Sequence, residues 1–337
     1  MHRSGTSAIT GALQLLGVDL GERLSPGHPD INALGYFEHL EILDRHIELL
    51  CDLESEWDDV LPLADGWWEA DVAKRHAGSI LVILERDFAS SSFWGVKDPR
   101  MCRLMPVWFP LFAHLNAKPC LLIVLRRPDE VAASLARRNN MRAEKAYQLW
   151  LENTMAAERW SRLHPRAFIT YDELLADPIA VMEAVATALG ISWPVAPAAA
   201  QEQLRAFLSP DLRHHNRMAC PADIRGPAAA LAFEAWSTLS AGGITGSDIV
   251  TLDALQERHR RRIAGFDAAL VAHIRTETAR RVCSQHRLAR LRRSFSWRIT
   301  KPLRLFQTRR NTLNRRPQTG RGLERHGGLG QGRNKHP

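Results

Sequence analysis

The first residues of the chain, MHRSGTS, place a cation, several hydroxyl groups and a glycine directly before a helix predicted over 7–16. Gly5 permits a tight backbone turn. The amides that follow it would lie at the helix N-terminus, where free N–H groups and the helix dipole attract anions. The side-chain donors of this segment are Arg3, Ser4, Thr6 and Ser7. The pattern predicts a loop that binds phosphate or sulfate, with an ordinary capped helix as the alternative. It is neither G-x-x-x-x-G-K-[ST] nor G-x-G-x-x-G.

A second candidate anion site follows PCLLIVLR, a buried strand predicted over 119–126. Arg126 stands where this strand ends, and Ser134 lies eight residues later on a helix predicted over 128–138. That helix has proline at its first position and acids in its first turn, which is typical of a helix start. An arginine at the carboxyl end of a buried strand can reach a ligand over the sheet edge. The alternative is a solvated pair, Arg126 and Arg127, that caps the strand.

Together, RSGTS opening a helix and LRRPDEVAASLARR about 120 residues later resemble the PAPS-dependent sulfotransferase family. In that family the first loop binds the 5′-phosphosulfate of 3′-phosphoadenosine-5′-phosphosulfate (PAPS). The second segment binds the 3′-phosphate through an arginine and a serine eight positions apart. The resemblance covers about residues 1–215, with Arg3 where many members carry lysine. It implies that PAPS is the co-substrate and is bound by Arg3, Ser4, Gly5, Thr6, Ser7, Arg126 and Ser134.

The segment WGVKDPRMC, with its strand predicted over 92–98, is similar to a K-D-P-R element of the family. Bacterial and tyrosylprotein members place this element near the reacting sulfuryl group. The resemblance therefore implies that Lys97 neutralises charge on the transferring group or on the leaving phosphate. The alternative is a surface ion network of Lys97, Asp98 and Arg100.

Two later segments complete the nucleotide site that the resemblance implies. ITYDELLADP is similar to a family element in which the tyrosine, here Tyr171, helps to build the nucleotide site. Its alternative is a packed tyrosine before a helix cap. DLRHHN resembles a late loop that closes over the nucleotide, with Arg213, His214 and His215 as weaker candidates.

Transfer of a sulfuryl group to an alcohol requires a base that removes the hydroxyl proton. NALGYFEHLEIL resembles a G-Y-[FW]-E segment of bacterial members, and this implies that Glu38 is the base, with adjacent His39 as the alternative. A solvated acid at a helix start is the non-catalytic reading of Glu38. Arg3 and Lys97 are the other predicted catalytic residues. The chemistry needs no metal, and His39 with His46 lacks a third ligand.

Continuous apolar strands alternate with helices, a pattern that predicts an α/β fold with a parallel β-sheet flanked by helices. The resemblance implies a P-loop-like sulfotransferase fold, in which a central strand runs into the first loop. That first strand is missing before Met1. We therefore expect either that the true start lies upstream or that the chain is truncated and inactive. We predict a PAPS-binding domain over 1–215, a helical C-terminal extension over 216–286 and a basic, largely disordered tail over 287–337.

Charge separates the tail from the body. The formal net charge is +8, yet the last 51 residues hold fifteen Lys or Arg and a single acid, Glu324. Leucine, phenylalanine and tryptophan accompany the cations over 287–306, which predicts peripheral contact with an anionic membrane. This stretch resembles the tails of bacterial glycosyltransferases that act on envelope polysaccharides. The alternative is a solvated tail with loose nucleic-acid affinity, and we predict no specific nucleic-acid partner.

Other features constrain location and redox state. No apolar run approaches the roughly 20 residues of a membrane span. The stretch AITGALQLLGV is a poor signal peptide because it contains Thr10 and Gln14 and lacks a clear cleavage site. We expect a cytoplasmic protein, which the basic stretch would bring to the inner membrane face as a peripheral protein. Five scattered cysteines without C-x-x-C argue against a disulfide framework and a zinc site.

The sequence thus predicts a sulfotransferase that moves a sulfuryl group from PAPS to a hydroxyl of a glycan or other envelope-related acceptor. The alternatives are a kinase-like nucleotide transferase and a truncated, non-catalytic protein that binds nucleotide or membrane. Loops over 19–37 and 53–70 are expected to build the acceptor pocket. The tryptophans of the second loop would stack on sugar rings or fill the core, and they are Trp57, Trp67 and Trp68.

Overall fold

The computed structural model describes residues 1–27, 35–208, 226–242, 244–265 and 268–293. The described residues of Met1–Ser284 belong to one compact unit, and Gln285 begins a second. The helices are α1 (Thr6–Leu15), α2 (Leu40–Asp52), α3 (Asp71–Phe88), α4 (Met101–His114), α5 (Pro128–Asn139), α6 (Ala143–Ser161), α7 (Tyr171–Ala176), α8 (Pro178–Leu189), α9 (Gln201–Phe207), α10 (Pro227–Leu239), α11 (Gly246–Ala264) and α12 (Ala268–Arg293). The strands are β1 (Leu121–Leu125) and β2 (Arg166–Thr170).

Helices dominate the chain, and the predicted sheet is parallel but small. β1 pairs with β2 in parallel, with Leu121 opposite Arg166 and Leu125 opposite Thr170. The broad α/β assignment and the two strands are therefore confirmed. The strand predicted over 92–98 is wrong, because only Trp94 forms an isolated bridge, to Asp19. One isolated bridge does not make a strand, because a strand requires several consecutive residues that pair with the neighbouring chain segment.

Local sequence signals set several helix starts. Proline is the first residue of α5, α8 and α10, where its missing N–H costs no intrahelical bond. At α7, Thr170 Oγ1 accepts from the Glu173 amide at 3.1 Å, and Glu173 Oε2 accepts from the Thr170 amide at 2.8 Å. This reciprocal capping box fixes where β2 ends and α7 begins.

Three apolar clusters hold the unit together. One joins α5 and α6 to α10 and α11 and includes the fully buried Trp150. A second joins α2, α3 and α4 around Trp108. A third packs α1 and α9 with α8 and β2. Helices beyond residue 226 thus share a core with helices of the predicted PAPS-binding segment.

β1 uses one of its two edges. The Leu121 amide donates to the Pro165 carbonyl on the β2 side, so Leu122 and Val124 turn their backbone groups to the opposite edge. Within the described residues that edge has no strand partner. A largely apolar cavity of about 810 Å³ lies along it, lined also by Met1 and by residues 93–97.

The expectation against disulfides is wrong for one pair. Cys51 on α2 and Cys283 on α12 form a disulfide, with their Cα atoms 5.7 Å apart and a sequence separation of 232. Packing of distant helices created this pairing, and no local spacing indicates it. Within the described part of the chain, no helix is both long and apolar enough to cross a membrane.

Candidate functional site

The loop before α1 presents donors that the protein itself does not use. Gly5 caps α1 with φ 88°, and Arg3 is also left-handed with φ 65°. Among the described residues, no hydrogen bond uses the amides of Gly5, Thr6 or Ser7. A Cβ on Gly5 would lie 2.3 Å from Cδ2 of Tyr171, so the close approach requires glycine. The helix start therefore has the geometry of an anion site.

The two anion motifs meet in space. Arg3 Nε donates to Ser134 Oγ at 2.8 Å, across 131 residues of sequence. Arg126 Nη1 donates to the Arg3 carbonyl at 3.4 Å. The Arg126 guanidinium also lies over the Tyr171 ring, 5.0 Å from its centroid. Ser4 and Ser134 are almost fully buried, and Arg126 is 8% exposed. Arg126 is therefore not the solvated strand cap of the alternative reading.

Positive charge is concentrated here beyond what carboxylates offset. Burial lowers the pKa of Arg3, and the nearby charges of Arg138 and Arg126 lower it further. Arg126 Nε is paired with Glu130 Oε2 at 2.8 Å. Arg138 was missed by the sequence reasoning, although it stands one helical turn after Ser134 on α5 and so shares its face. Such a cluster favours an anionic ligand.

The predicted base and the predicted cation of the reaction are paired. Lys97 Nζ donates to Glu38 Oε1 at 2.9 Å, to the Tyr36 carbonyl at 2.8 Å and to Ser7 Oγ at 3.3 Å. Both charged side chains are only 11% exposed. Glu38 lies just before α2 and is buried, so it is not the solvated helix acid of the alternative reading. The pair sits at the start of α1 through Ser7.

A buried network under Lys97 fixes the turn that carries it. Asp98 Oδ1 accepts from the amide and from Nη1 of Arg100, both at 2.9 Å. Asp98 Oδ2 lies 2.9 Å from His46 Nδ1, and Trp108 Nε1 donates to His46 Nε2 at 3.0 Å. Burial raises the pKa of Asp98, but Arg100 and His46 together hold it well below its usual range. Asp98 and Arg100 thus form the ion pair of the alternative reading, whereas Lys97 pairs with Glu38 instead.

The alternative base, His39, and the neighbour of Arg126, Arg127, make their contacts away from the candidate site. His39 Nε2 lies 3.0 Å from Asp87 Oδ2, and its Nδ1 accepts from the Ile42 amide as the cap of α2. The structure therefore does not bring His39 to Lys97. Arg127 forms two bonds to Asp129 rather than joining Arg126.

The predicted acceptor loop reaches the first residues of the chain. The ring of Trp57 contacts that of His2 edge to face, with centroids 4.8 Å apart. Burial raises the pKa of Glu56 to about 8, and the neighbouring Asp58 contributes to this rise. The sequence reasoning did not identify Glu56. Its spacing of two from Asp58 is the only available signal.

Arg213, with His214 and His215, lies outside the described residues. Among the residues described, no group of three His, Cys, Asp or Glu side chains is placed to hold a metal ion. A scan of protein-family models and searches of curated proteins and of solved structures find no match to this chain.

Proposed function

We propose that the chain is a PAPS-dependent sulfotransferase of the P-loop-like fold, acting on a hydroxyl of a glycan or a related envelope component. The observation that carries the proposal is the 2.8 Å contact between Arg3 Nε and Ser134 Oγ. The resemblance assigns one of these residues to each phosphate-bearing end of PAPS. Their contact supports a site that a single ligand can bridge.

The binding residues act through charge and donor geometry. The free amides at the start of α1, with Arg3, hold the 5′-phosphosulfate. Arg126 and Ser134 hold the 3′-phosphate, and Arg138 adds positive potential. Tyr171 packs against Gly5 and orients Arg126, so the two halves of the site keep a fixed spacing.

Bound PAPS supplies an activated sulfuryl group. Glu38 takes the proton of the acceptor hydroxyl while the hydroxyl oxygen forms a bond to sulfur. At the same time the bond between sulfur and the 5′-phosphate oxygen breaks, and adenosine 3′,5′-bisphosphate (PAP) is released. Lys97 lies between Ser7 and Glu38, where its ammonium offsets charge on the sulfuryl oxygens and the leaving phosphate. Arg100 and His46, through Asp98, position Lys97 without touching substrate.

The acceptor side is proposed from the loop over 53–70. Trp57 contacts His2, which precedes Arg3 of the anion loop, so an acceptor bound by the 53–70 loop would lie beside the anion loop. The basic stretch 287–306 would keep the enzyme near an anionic cytoplasmic membrane surface, where envelope glycans are assembled.

Calorimetric titration with PAP tests the nucleotide site. PAP is expected to bind at least about tenfold more tightly than ATP, because the paired motifs recognise the 3′-phosphate. Arg126→Gln should weaken PAP binding by about tenfold to a hundredfold, since it removes a charge-assisted contact. Arg127→Gln is the matched control and should bind as the parent does. Equal affinity in Arg126→Gln would contradict the site.

Transfer is measured separately, with PAPS labelled at sulfur and a panel of hydroxyl-bearing glycans. Release of PAP with label on the glycan supports the enzyme. PAP binding with no transfer to any glycan favours the non-catalytic nucleotide-binding protein instead.

A further inference from the structure

A second cavity, of about 330 Å³, lies between α6 and α11 beside a single 3-10 turn, Trp67–Glu69. None of the predicted PAPS-binding or catalytic residues lines it, but Trp67 and Trp68 of the predicted acceptor loop do. Its volume is at the lower end of the range for small-molecule sites, roughly 300–1,000 Å³, so it fits one ring rather than a nucleotide or a lipid.

His259 of α11 lines this cavity with both ring nitrogens unused. The residue is 2% exposed, and among the described residues neither nitrogen has a hydrogen-bond partner. The nearest carboxylate oxygen, Glu152 Oε2, is 3.8 Å from Nε2, beyond hydrogen-bond distance. Burial lowers the pKa of His259 to about 4, with the charge of Arg262 adding to the effect. The neutral ring therefore offers one donor and one acceptor, as a hydroxyl group requires.

Two further charged groups lie buried beside the cavity, and one of them, Arg103, is incompletely satisfied. Burial raises the pKa of Glu152, against the opposing charge of Arg103. Arg103 is 5% exposed and donates through Nη2 to the Leu61 carbonyl at 2.8 Å, but its Nε has no partner in the described chain. Native proteins leave few buried polar groups unpaired, so each such group calls for an explanation, and a bound ligand that supplies the missing bonds is one.

Part of the cavity lining is aromatic. The rings of Trp68 and Trp160 meet at 5.4 Å, nearly perpendicular, and the Arg159 guanidinium lies 5.1 Å over the Trp160 ring. A pyranose ring has an apolar C–H face that packs on an indole and hydroxyls that bond at its rim. The lining is cationic, because four arginines face two carboxylates. The arginines are Arg103, Arg159, Arg260 and Arg275, and the carboxylates are Glu152 and Asp65.

We propose that this cavity binds one acidic sugar unit of the hexuronic acid class, stacked on Trp160, with its hydroxyls on His259 and its carboxylate on the arginines. The site is separate from the proposed PAPS site and does not depend on it. It gives the protein a means of selecting an acidic glycan.

The test is calorimetric titration of the full chain with glucuronate, in the absence of PAPS. Millimolar or tighter binding is expected, with glucose at least about tenfold weaker because it lacks the carboxylate. Acetate and benzoate are run beside it. Acetate or benzoate binding as tightly as glucuronate would overturn the proposal. So would the absence of glucuronate binding at roughly 50 mM, which is about 50-fold above the weakest expected Kd.

Variants connect the binding to the cavity. His259→Leu should abolish glucuronate binding and at the same time raise Tm by about 2 °C, since it removes unpaired buried polar atoms. Arg159→Gln should weaken glucuronate but not glucose, and Arg258→Gln is its control, because Arg258 pairs with Glu234 outside the cavity. If His259→Leu is destabilised, Arg159→Gln decides. Glucuronate affinity unchanged in Arg159→Gln refutes the site.

Discussion

His46 and His259 are buried almost equally, at 0% and 2% exposure, yet their surroundings differ. The ring of His46 is bonded on both sides, to Asp98 and to Trp108. The ring of His259 is bonded on neither. A histidine with both bonds made is part of the scaffold, because burial has cost it no hydrogen bond. One with neither bond carries a cost that the fold alone does not explain.

The same distinction separates other groups of the molecule. Asp98 and Arg100 satisfy each other, and their role is to hold a turn. Among the described residues the amides after Gly5 have no partner, and the proposed function gives them to the 5′-phosphosulfate. Hydrogen-bond satisfaction therefore distinguishes these groups where burial alone does not, and the two proposals rest on the unsatisfied ones.

The largest expected effect concerns the satisfied histidine. His46→Leu should lower the free energy of unfolding by about 3–5 kcal/mol, because it leaves the buried Asp98 carboxylate with one partner fewer. Chemical denaturation measures this. His76→Leu is the control, since its partner Asp52 is 42% exposed and the pair should contribute below about 1 kcal/mol. Equal losses in the two variants would mean that burial of the pair is irrelevant.

The unsatisfied histidine predicts a pH effect. The pKa of His259 is about 4 in the folded protein, below about 6.5 for an unfolded histidine, so the unfolded state binds the proton more tightly between these values. Stability should therefore fall by up to about 3 kcal/mol as pH drops from 6.5 to 4. Denaturation of the parent against His259→Leu isolates this share.

Glu152 faces His259, and its raised pKa gives an opposite trend, because protonation relieves a buried carboxylate. Both chains are therefore measured again with Glu152→Gln. In the Glu152→Gln background, the free energy of unfolding should depend on pH differently with and without His259→Leu. The same pH dependence in both would show that burial does not hold His259 neutral.

For the proposed reaction, Glu38→Gln should lower turnover by about a hundredfold, because the amide cannot accept the hydroxyl proton. PAP affinity should change little, since Glu38 contacts Lys97 rather than the phosphate loop. Steady-state transfer of labelled sulfuryl measures the first and calorimetry the second. Glu41→Gln, a half-exposed acid in the first turn of the adjoining helix α2, is the control. Full turnover in Glu38→Gln would remove that residue from its role.

Sequence patterns predicted local features well and tertiary pairings poorly. The apolar run LLIVL and the proline start of α5 were sufficient to predict β1 and its following helix. The spacing of Arg126 and Ser134 indicated two residues that the structure brings to Arg3. The bonds of His46, the Cys51–Cys283 disulfide and the isolation of His259 follow from contacts between distant helices. No spacing along the chain encodes those contacts.

The two edges of β1 also differ, since one edge pairs with β2 and the other faces the 810 Å³ cavity. This difference predicts the smallest of the effects, a change in Tm. Met1 is 6% exposed, and its ammonium group lies 3.3 Å from Cys102 Sγ, at the cavity wall. An added segment of about six β-branched apolar residues joined to Met1 should pair with the free edge. It should raise Tm by about 5 °C and slow amide exchange at Leu122 and Val124.

Leu122→Pro is the matched control for the added segment. It removes the one N–H at that position on the free edge and leaves the bonds of β1 to β2 intact, which proline tolerates on an edge strand. The gain in Tm should therefore shrink in this variant. A gain that persists unchanged would mean that the segment stabilises by apolar filling alone, and that the free edge of β1 accepts no strand.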